Sequence, residues 1–427
     1  MPTELDARIG GVVDAAATGF GAPRTGRVAR RTLMGGFLCY AFDALDFALL
    51  ALALPMIIAE WRLTLGEAGL IGTAGMLGVG ASGLLMGRFA DNQGRRRALL
   101  ASVILFAVFT AAAAFVQDRW QLMLLRAVAG LGLGGVWGSV TVLVNETWPR
   151  AWRGRATSVL LSSWPVGLIA AALLAGWVLP AYGWRALFLC GGFALFAACY
   201  VWFLVPESAL WKAQRDEFAA APGRDPGSDA VAISEVFSPA LRRNTLLGTA
   251  VAACAHTAYW GANTWWPTYL VRERGLSTLA MAHYLMLLNV GMFCGYPVLG
   301  WIADRTSKRT ALLLSWGAAA VLLPVYALIR NLDVLLWIGP VVALSFAYSG
   351  PFGAYLTEMF PTRVRCLGAG LCFNVGRGVA AFAPFVFGAL AAHFGLAVSL
   401  GLSGVAFLGA ALLTLLLPQD STQTAGP

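Results

Sequence analysis

The sequence predicts an all-α integral membrane protein, with twelve transmembrane helices arranged as two pseudo-symmetric six-helix bundles. Three observations carry that prediction. Hydrophobic residues make up 59% of the 427-residue chain and charged residues only 12%, with a mean hydropathy of +0.72, which excludes an ordinary water-soluble globule. Twelve windows between Leu33 and Leu417 are apolar and long enough to cross a bilayer core, which takes about 20 residues as a helix. A group of residues then occurs twice, 213 positions apart: Gly87, Asp91, Gly94, Arg95 and Arg96 return as Gly300, Asp304, Ser307, Lys308 and Arg309. Glu146 and Pro149 return as Glu358 and Pro361 at an offset of 212. Internal repeats of this kind mark membrane folds built from two similar halves, with a ligand site between them near the midplane.

In chain order, a basic N-terminal tail (1–32) precedes six spans at 33–58, 67–88, 98–116, 120–143, 156–179 and 185–204. The first apolar run is too long for the core of a cleavable signal and reads as the first helix. The second and fourth spans are glycine-rich, at 69, 72, 75, 78, 80, 83 and 87 and at 130, 132, 134, 135 and 138. Small residues at this spacing let helices approach closely in lipid, where no hydrophobic effect drives them together. From 206 to 243 the composition turns polar, through Glu207, Lys212, Arg215 and Asp216 into a Pro/Gly-containing stretch. That segment is a linker on the cytoplasmic side. Six further spans follow at 244–271, 278–301, 310–328, 334–355, 367–390 and 396–417, then a short tail, 418–427. Residues 1–28 and 419–427 are expected to lack fixed structure.

Basic residues in short loops stay on the cytoplasmic side of a membrane. With the N-terminus inside, 22 Lys and Arg fall on that side, six outside and two within the membrane. Both termini are then cytoplasmic, in a bacterial-type inner membrane. Orientation accounts for the net charge of +9, so no nucleic-acid partner is expected. The seven cysteines show no CxxC spacing and read as small apolar packers rather than metal ligands. Only three histidines are present, no Ser-His-Asp arrangement or phosphate loop is visible, and no cofactor is expected. An enzyme is therefore disfavoured.

Ionisable residues at bilayer depth are costly and each requires a reason. Asp43, Asp46, Arg126, His256 and Arg377 stand out. Asp46 lies 13 residues in from the cytoplasmic start of its span and Arg126 six residues in from the outer start of its own, which places both roughly 10 Å from the outer edge of the core. They can pair. A carboxylate held by a guanidinium sheds its proton easily, whereas the same group alone in apolar surroundings retains it, so making and breaking such a pair would load and unload a proton. Asp43 lies on nearly the same helical face as Asp46. A static ion pair is the structural alternative for both.

Arg377 is near mid-depth, with no acid of its own half at that level, and its planar fork matches a carboxylate. It reads as the anchor of a substrate anion, with pairing to Asp43 across the cavity as the alternative. On the seventh span His256, Tyr259 or Trp260, Asn263 and Trp266 or Pro267 follow helical spacing, which makes a polar-aromatic stripe able to contact the rest of a substrate. Plain packing is the alternative for His256. Asn289, Tyr296 and Asn374 are further candidates.

These residues resemble the major facilitator superfamily. The loop pattern from Gly87 to Arg96, with its degenerate copy from Gly300 to Arg309, carries the likeness, which extends over about 33–417. Phe42-Asp43-Ala-Leu-Asp46-Phe47 looks like the paired-aspartate motif of proton symporters for organic acids, and Arg126 with the glycines after it is similar to the fourth-helix pattern that pairs with it. Glu146-Thr-Trp-Pro149, Trp184-Arg185 and Pro206-Glu207-Ser208 look most like the sialate:proton symporter group, although the linker is too polar for the two additional spans of the best-known sialate carriers. The resemblance implies alternating access, with Asp91 and Arg95 in a cytoplasmic gate network. Gly87, Asp304, Glu146 and Glu358 are gate candidates by their places in the repeats. The expected activity is proton symport that imports a small, monocarboxylate-type organic anion. Partners are the anion, protons and the bilayer, and the protein is expected to be monomeric. Carriage of sialate, an aromatic acid or a neutral sugar, and proton-driven efflux, are the alternatives.

Overall fold

The computed structural model describes residues 22–148, 153–213, 233–361 and 364–418. Among these there is no strand. The first four passes are α1 (Ala22–Trp61), α2 (Leu65–Gln93), α3 (Arg95–Ala112) and α4 (Arg119–Thr147). The fifth runs through α5 (Arg153–Leu161) into α6 (Ser163–Cys190), and the chain reverses inside α6 at Gly183, where φ is 75° and ψ −179°. Only glycine adopts that backbone without strain. What the segment meets marks the reversal: Leu160 lies beside Gly36 near the start of α1, Trp184 and Arg185 bond Glu60 at its far end, and Val201 and Val205 are back beside Gly35. The sixth pass ends in α7 (Ala194–Leu204).

The second half repeats the plan with α8 (Arg242–Arg272), α9 (Thr278–Arg305), α10 (Lys308–Leu328), α11 (Leu332–Leu344) continuing into α12 (Ser349–Glu358), α13 (Arg365–Ala380) continuing into α14 (Ala383–Phe394), and α15 (Leu396–Leu415). Side-chain caps start several of these helices: Thr64 and Glu67 form a capping box on α2, Asp118 caps α4, and Ser277, Ser307 and Asn331 cap α9, α10 and α11. Among the described residues nine helical stretches are long and apolar enough to span a bilayer, and one of them, Val159–Leu204, holds two passes. The glycine-rich α2 and the polar-aromatic α8 complete the twelve. Large apolar side chains such as Phe203 (78% exposed), Leu328 (77%) and Phe115 (75%) cover the outside, as lipid contact requires and water does not favour. The protein is a multi-pass membrane protein of two six-pass bundles.

Three expectations need correction. Residues 22–28 are helical rather than unstructured, because Pro23 near the helix start and the Ala- and Arg-containing stretch after it extend α1 beyond the apolar span. The linker 206–243 gives way to α8 at Arg242, two positions early. The windows 156–179, 185–204, 334–355 and 367–390 are each two helices rather than one. In the last of them Pro384, which lacks an N–H, opens α14 just after the break at 381–382.

The duplication is visible in side-chain bonds. Arg96 donates from Nε to Val201 O (3.4 Å) and from Nη2 to Trp202 O, at the end of α7. Its counterpart Arg309 donates to Thr414 O (3.2 Å) and Leu415 O (2.7 Å), at the end of α15. Each acceptor is displaced by the same 213 positions as the arginines. A guanidinium at a helix C-terminus satisfies carbonyls that lack partners within the helix.

Glycines set the closest helix approach. A Cβ on Gly130 of α4 would lie 2.1 Å from Gly75 O of α2, and one on Gly78 would lie 2.0 Å from Ala127 O. Backbone faces backbone there, with no flexible side chain to yield. Gly130→Val is expected to cost about 2 kcal/mol or more by overpacking, read as a lower thermal midpoint in detergent. Gly138→Val, where nothing lies within 4 Å, is the control that should leave the midpoint unchanged.

The halves meet through α1 with α8, α2 with α14 and α6 with α9. On the face opposite the basic loops, a Cβ on Gly69 would lie 2.3 Å from Pro384 O and one on Gly388 2.4 Å from Leu65 O. On that face the two halves come into direct backbone contact.

Candidate functional site

A buried triangle links three passes of the first half. Asp46 of α1 and Arg126 of α4 are 1% and 2% exposed. Arg126 Nη1 donates to both carboxylate oxygens of Asp46, at 3.0 and 3.1 Å. Thr110, near the end of α3, donates its hydroxyl to Asp46 Oδ1 at 2.7 Å and accepts from Arg126 Nη1 at 3.2 Å. The equal depth read from the sequence is what lets the two charges meet, and each offsets the other's removal from water.

One turn nearer the basic face, Asp43 is also buried, and its Oδ1 makes no hydrogen bond. The cation acting on it is Arg377 of α13, in the other half. Arg377 is half-buried and makes no hydrogen bond or ion pair among the described residues. Tyr40, Tyr259 and His256 also lie within its electrostatic reach. An acid and a guanidinium therefore face each other across the seam with no ion pair formed between them. Asn374, one turn before Arg377, is exposed and does not join this group.

His256 is fixed by a 2.7 Å bond between Nδ1 and Ala252 O. A carbonyl only accepts, so Nδ1 carries the hydrogen and Nε2 is the ring's free nitrogen. The ring stands edge-on to Phe373 at 4.6 Å, and Phe373 stacks on Trp137 of the first half at 5.3 Å. Tyr259 accepts a hydrogen bond from Trp164 Nε1 at 2.8 Å, which joins α8 to α6 across the seam.

Above this group lies a chamber of about 60 Å³, walled by Phe47 and Ala51 of α1, Trp164 and Leu168 of α6, Tyr259, Trp260 and Asn263 of α8, and Asn289 of α9, among others. The expected stripe of α8 faces it through Tyr259, Trp260, Asn263, Trp266 and Pro267, whereas His256 stands outside its wall. An engineered cavity that holds benzene is about 150 Å³, so this chamber in its present form admits a few waters and no ring.

On the basic face the repeats form matched ion pairs. Arg95 Nε lies 3.6 Å from Glu146 Oε1, and Lys308 Nζ lies 2.7 Å from Glu358 Oε1. Both stay within their own half. Asp304 is exposed. The surroundings of Gly87 and the side chain of Asp91 are not among what is described, and neither are the contacts expected of them.

Sequence reasoning missed Thr110 and Trp164. Thr110 is 12 residues into its span, about 18 Å deep by helix rise and level with Asp46, so depth could have flagged it. Trp164 carried no signal, since one aromatic among apolar neighbours reads as packing.

The family description "Major Facilitator Superfamily" matches residues 36–357. A cis,cis-muconate transport protein of Acinetobacter baylyi is 32% identical over 376 residues, with 87% of this chain and 90% of that protein covered. A gallate transporter of Pseudomonas putida is 28% identical, with 89% of each chain covered. Among solved structures, a bacterial homologue of the human lysosomal transporter Spinster, inward-facing and unoccupied, superposes with a TM-score of 0.72 at 17% identity, over 91% of this chain and 96% of that one. The last likeness concerns fold alone.

Proposed function

The chain belongs to the Major Facilitator Superfamily, a family of membrane transporters and not of enzymes, and from that premise we propose that it imports a small organic carboxylate by proton symport through alternating access. The observation that carries this reading is Arg377, a half-buried guanidinium at the seam with no partner among the described residues. A cation so placed needs an anion, and its fork fits a carboxylate. Muconate and gallate, named for two relatives, are carboxylates.

Proton coupling is assigned to Asp46, Arg126 and Thr110, with Asp43 between the proton site and the anion site. Protonation of Asp46 would release Arg126; the anion would dock at Arg377 beside Tyr259; rocking of the halves would then expose both to the other side. Arg95, Glu146, Lys308 and Glu358 are assigned to a gate on the basic face, with Gly87, Asp91 and Asp304 as gate candidates. That face is taken as the cytoplasmic side of a bacterial inner membrane. A neutral-sugar carrier has no use for an unpaired Arg377, which places that alternative behind.

The test is uptake of a panel of radiolabelled acids into proteoliposomes. An inwardly directed proton gradient is expected to accelerate saturable uptake of at least one carboxylate. Uptake that ignores the gradient would remove symport, and uptake of sugars alone would remove the carboxylate.

A further inference from the structure

We propose that Asn263 and Asn289 read hydrogen-bond donors on the far end of the cargo, so that the preferred carboxylate is a hydroxylated one. The proposal rests on the carboxylate reading above. Each asparagine donates its amide nitrogen to the backbone carbonyl one turn earlier on its own helix, Asn263 to Tyr259 O at 2.9 Å and Asn289 to Leu285 O at 2.8 Å. Since a backbone carbonyl only accepts, this fixes which end of each amide is nitrogen and leaves both Oδ1 atoms as the free ends.

Both residues line the chamber. Neither Oδ1 meets a donor among the described residues, and neither is a fully enclosed polar atom, so both open onto free space. An acceptor so placed takes its hydrogen bond from whatever occupies that space, which in an empty carrier would be water. A cargo entering the chamber displaces the water. If its leading end is plain hydrocarbon, both oxygens lose their donors, whereas a hydroxyl restores them.

The placement also orients the cargo. Tyr259 lies within reach of Arg377 and is part of the chamber wall. Asn263 stands one turn farther along α8, about 6 Å. A molecule with its carboxylate at Arg377 therefore meets the asparagines with its opposite end, past the aromatic wall of Phe47, Trp164 and Trp260. The donor belongs remote from the acid group, not beside it.

The test compares benzoate, 4-hydroxybenzoate and 4-methoxybenzoate as substrates of the full-length protein in proteoliposomes. The methoxy compound places an oxygen at the same position without a donor. In the wild-type protein 4-hydroxybenzoate is expected to show a KM about tenfold below the other two. This comparison needs no variant and is independent of folding. Asn263→Leu and Asn289→Leu should each bring the ratio of the benzoate to the 4-hydroxybenzoate KM towards one. Equal KM values in the wild type, or a ratio that survives both substitutions, would overturn the asparagine assignment and leave the carboxylate reading intact. Uptake of 4-hydroxybenzyl alcohol without uptake of any of the acids would overturn the carboxylate reading instead, and absence of all saturable uptake would overturn both.

Discussion

Arg377→Ala is expected to lower kcat/KM for carboxylate uptake about a hundredfold while the protein still reaches the membrane and melts near the wild-type temperature. Removing one partner of a desolvated charge pair costs about 2–5 kcal/mol, and about 1.4 kcal/mol is tenfold in an equilibrium. Among the described residues the guanidinium makes no bond that its loss would break, so the damage should fall on cargo capture and not on folding. Arg377→Lys keeps the charge but not the planar fork, so an intermediate loss is expected. Initial-rate uptake over a range of substrate concentrations, alongside thermal melts, reads both effects. A mild phenotype in the alanine variant would move the anion site elsewhere.

Asp46→Asn is expected to abolish acceleration of uptake by a proton gradient while some exchange of labelled for unlabelled substrate persists. Asparagine approximates the protonated carboxyl and cannot cycle, so the step that spends the gradient is lost and the step that swaps cargo is not. The substitution also leaves Arg126 as an uncompensated buried charge. Breaking a buried pair from one side typically costs about 3–5 kcal/mol, so a lower melting midpoint should accompany the functional change. Asp46→Asn combined with Arg126→Gln removes both charges and should recover part of that stability without restoring the response to the gradient. Counterflow and gradient-driven uptake measured on the same vesicles separate these effects. A variant that still responds to the gradient would exclude Asp46 from coupling.

Much of this arrangement could be read from residues alone, because the bilayer makes few solutions affordable. Twelve spans followed from the length and apolarity that hydrocarbon demands, and the two halves followed from the repeat at an offset of 213. The approach of Asp46 to Arg126 followed from helix rise, since two charges at one depth in a low-dielectric slab have little else to meet. The breaks near Ser162, at 345–348 and at 381–382 did not follow, because apolar composition is blind to whether a span is one helix or two. Thr110 and the Trp164–Tyr259 bond were likewise hidden. Both depend on rotation about a helix axis, which neighbours set and spacing within one helix does not.

The proton triangle is drawn from α1, α3 and α4 alone, whereas the guanidinium of Arg377 belongs to α13. Under the proposed mechanism, fuel and freight are therefore held in different hands. The polar crossing between them is where Asp43 faces Arg377 and the indole of Trp164 holds the phenol of Tyr259. Loosening that crossing should leave two competent machines that no longer keep time, with protons slipping inward unaccompanied.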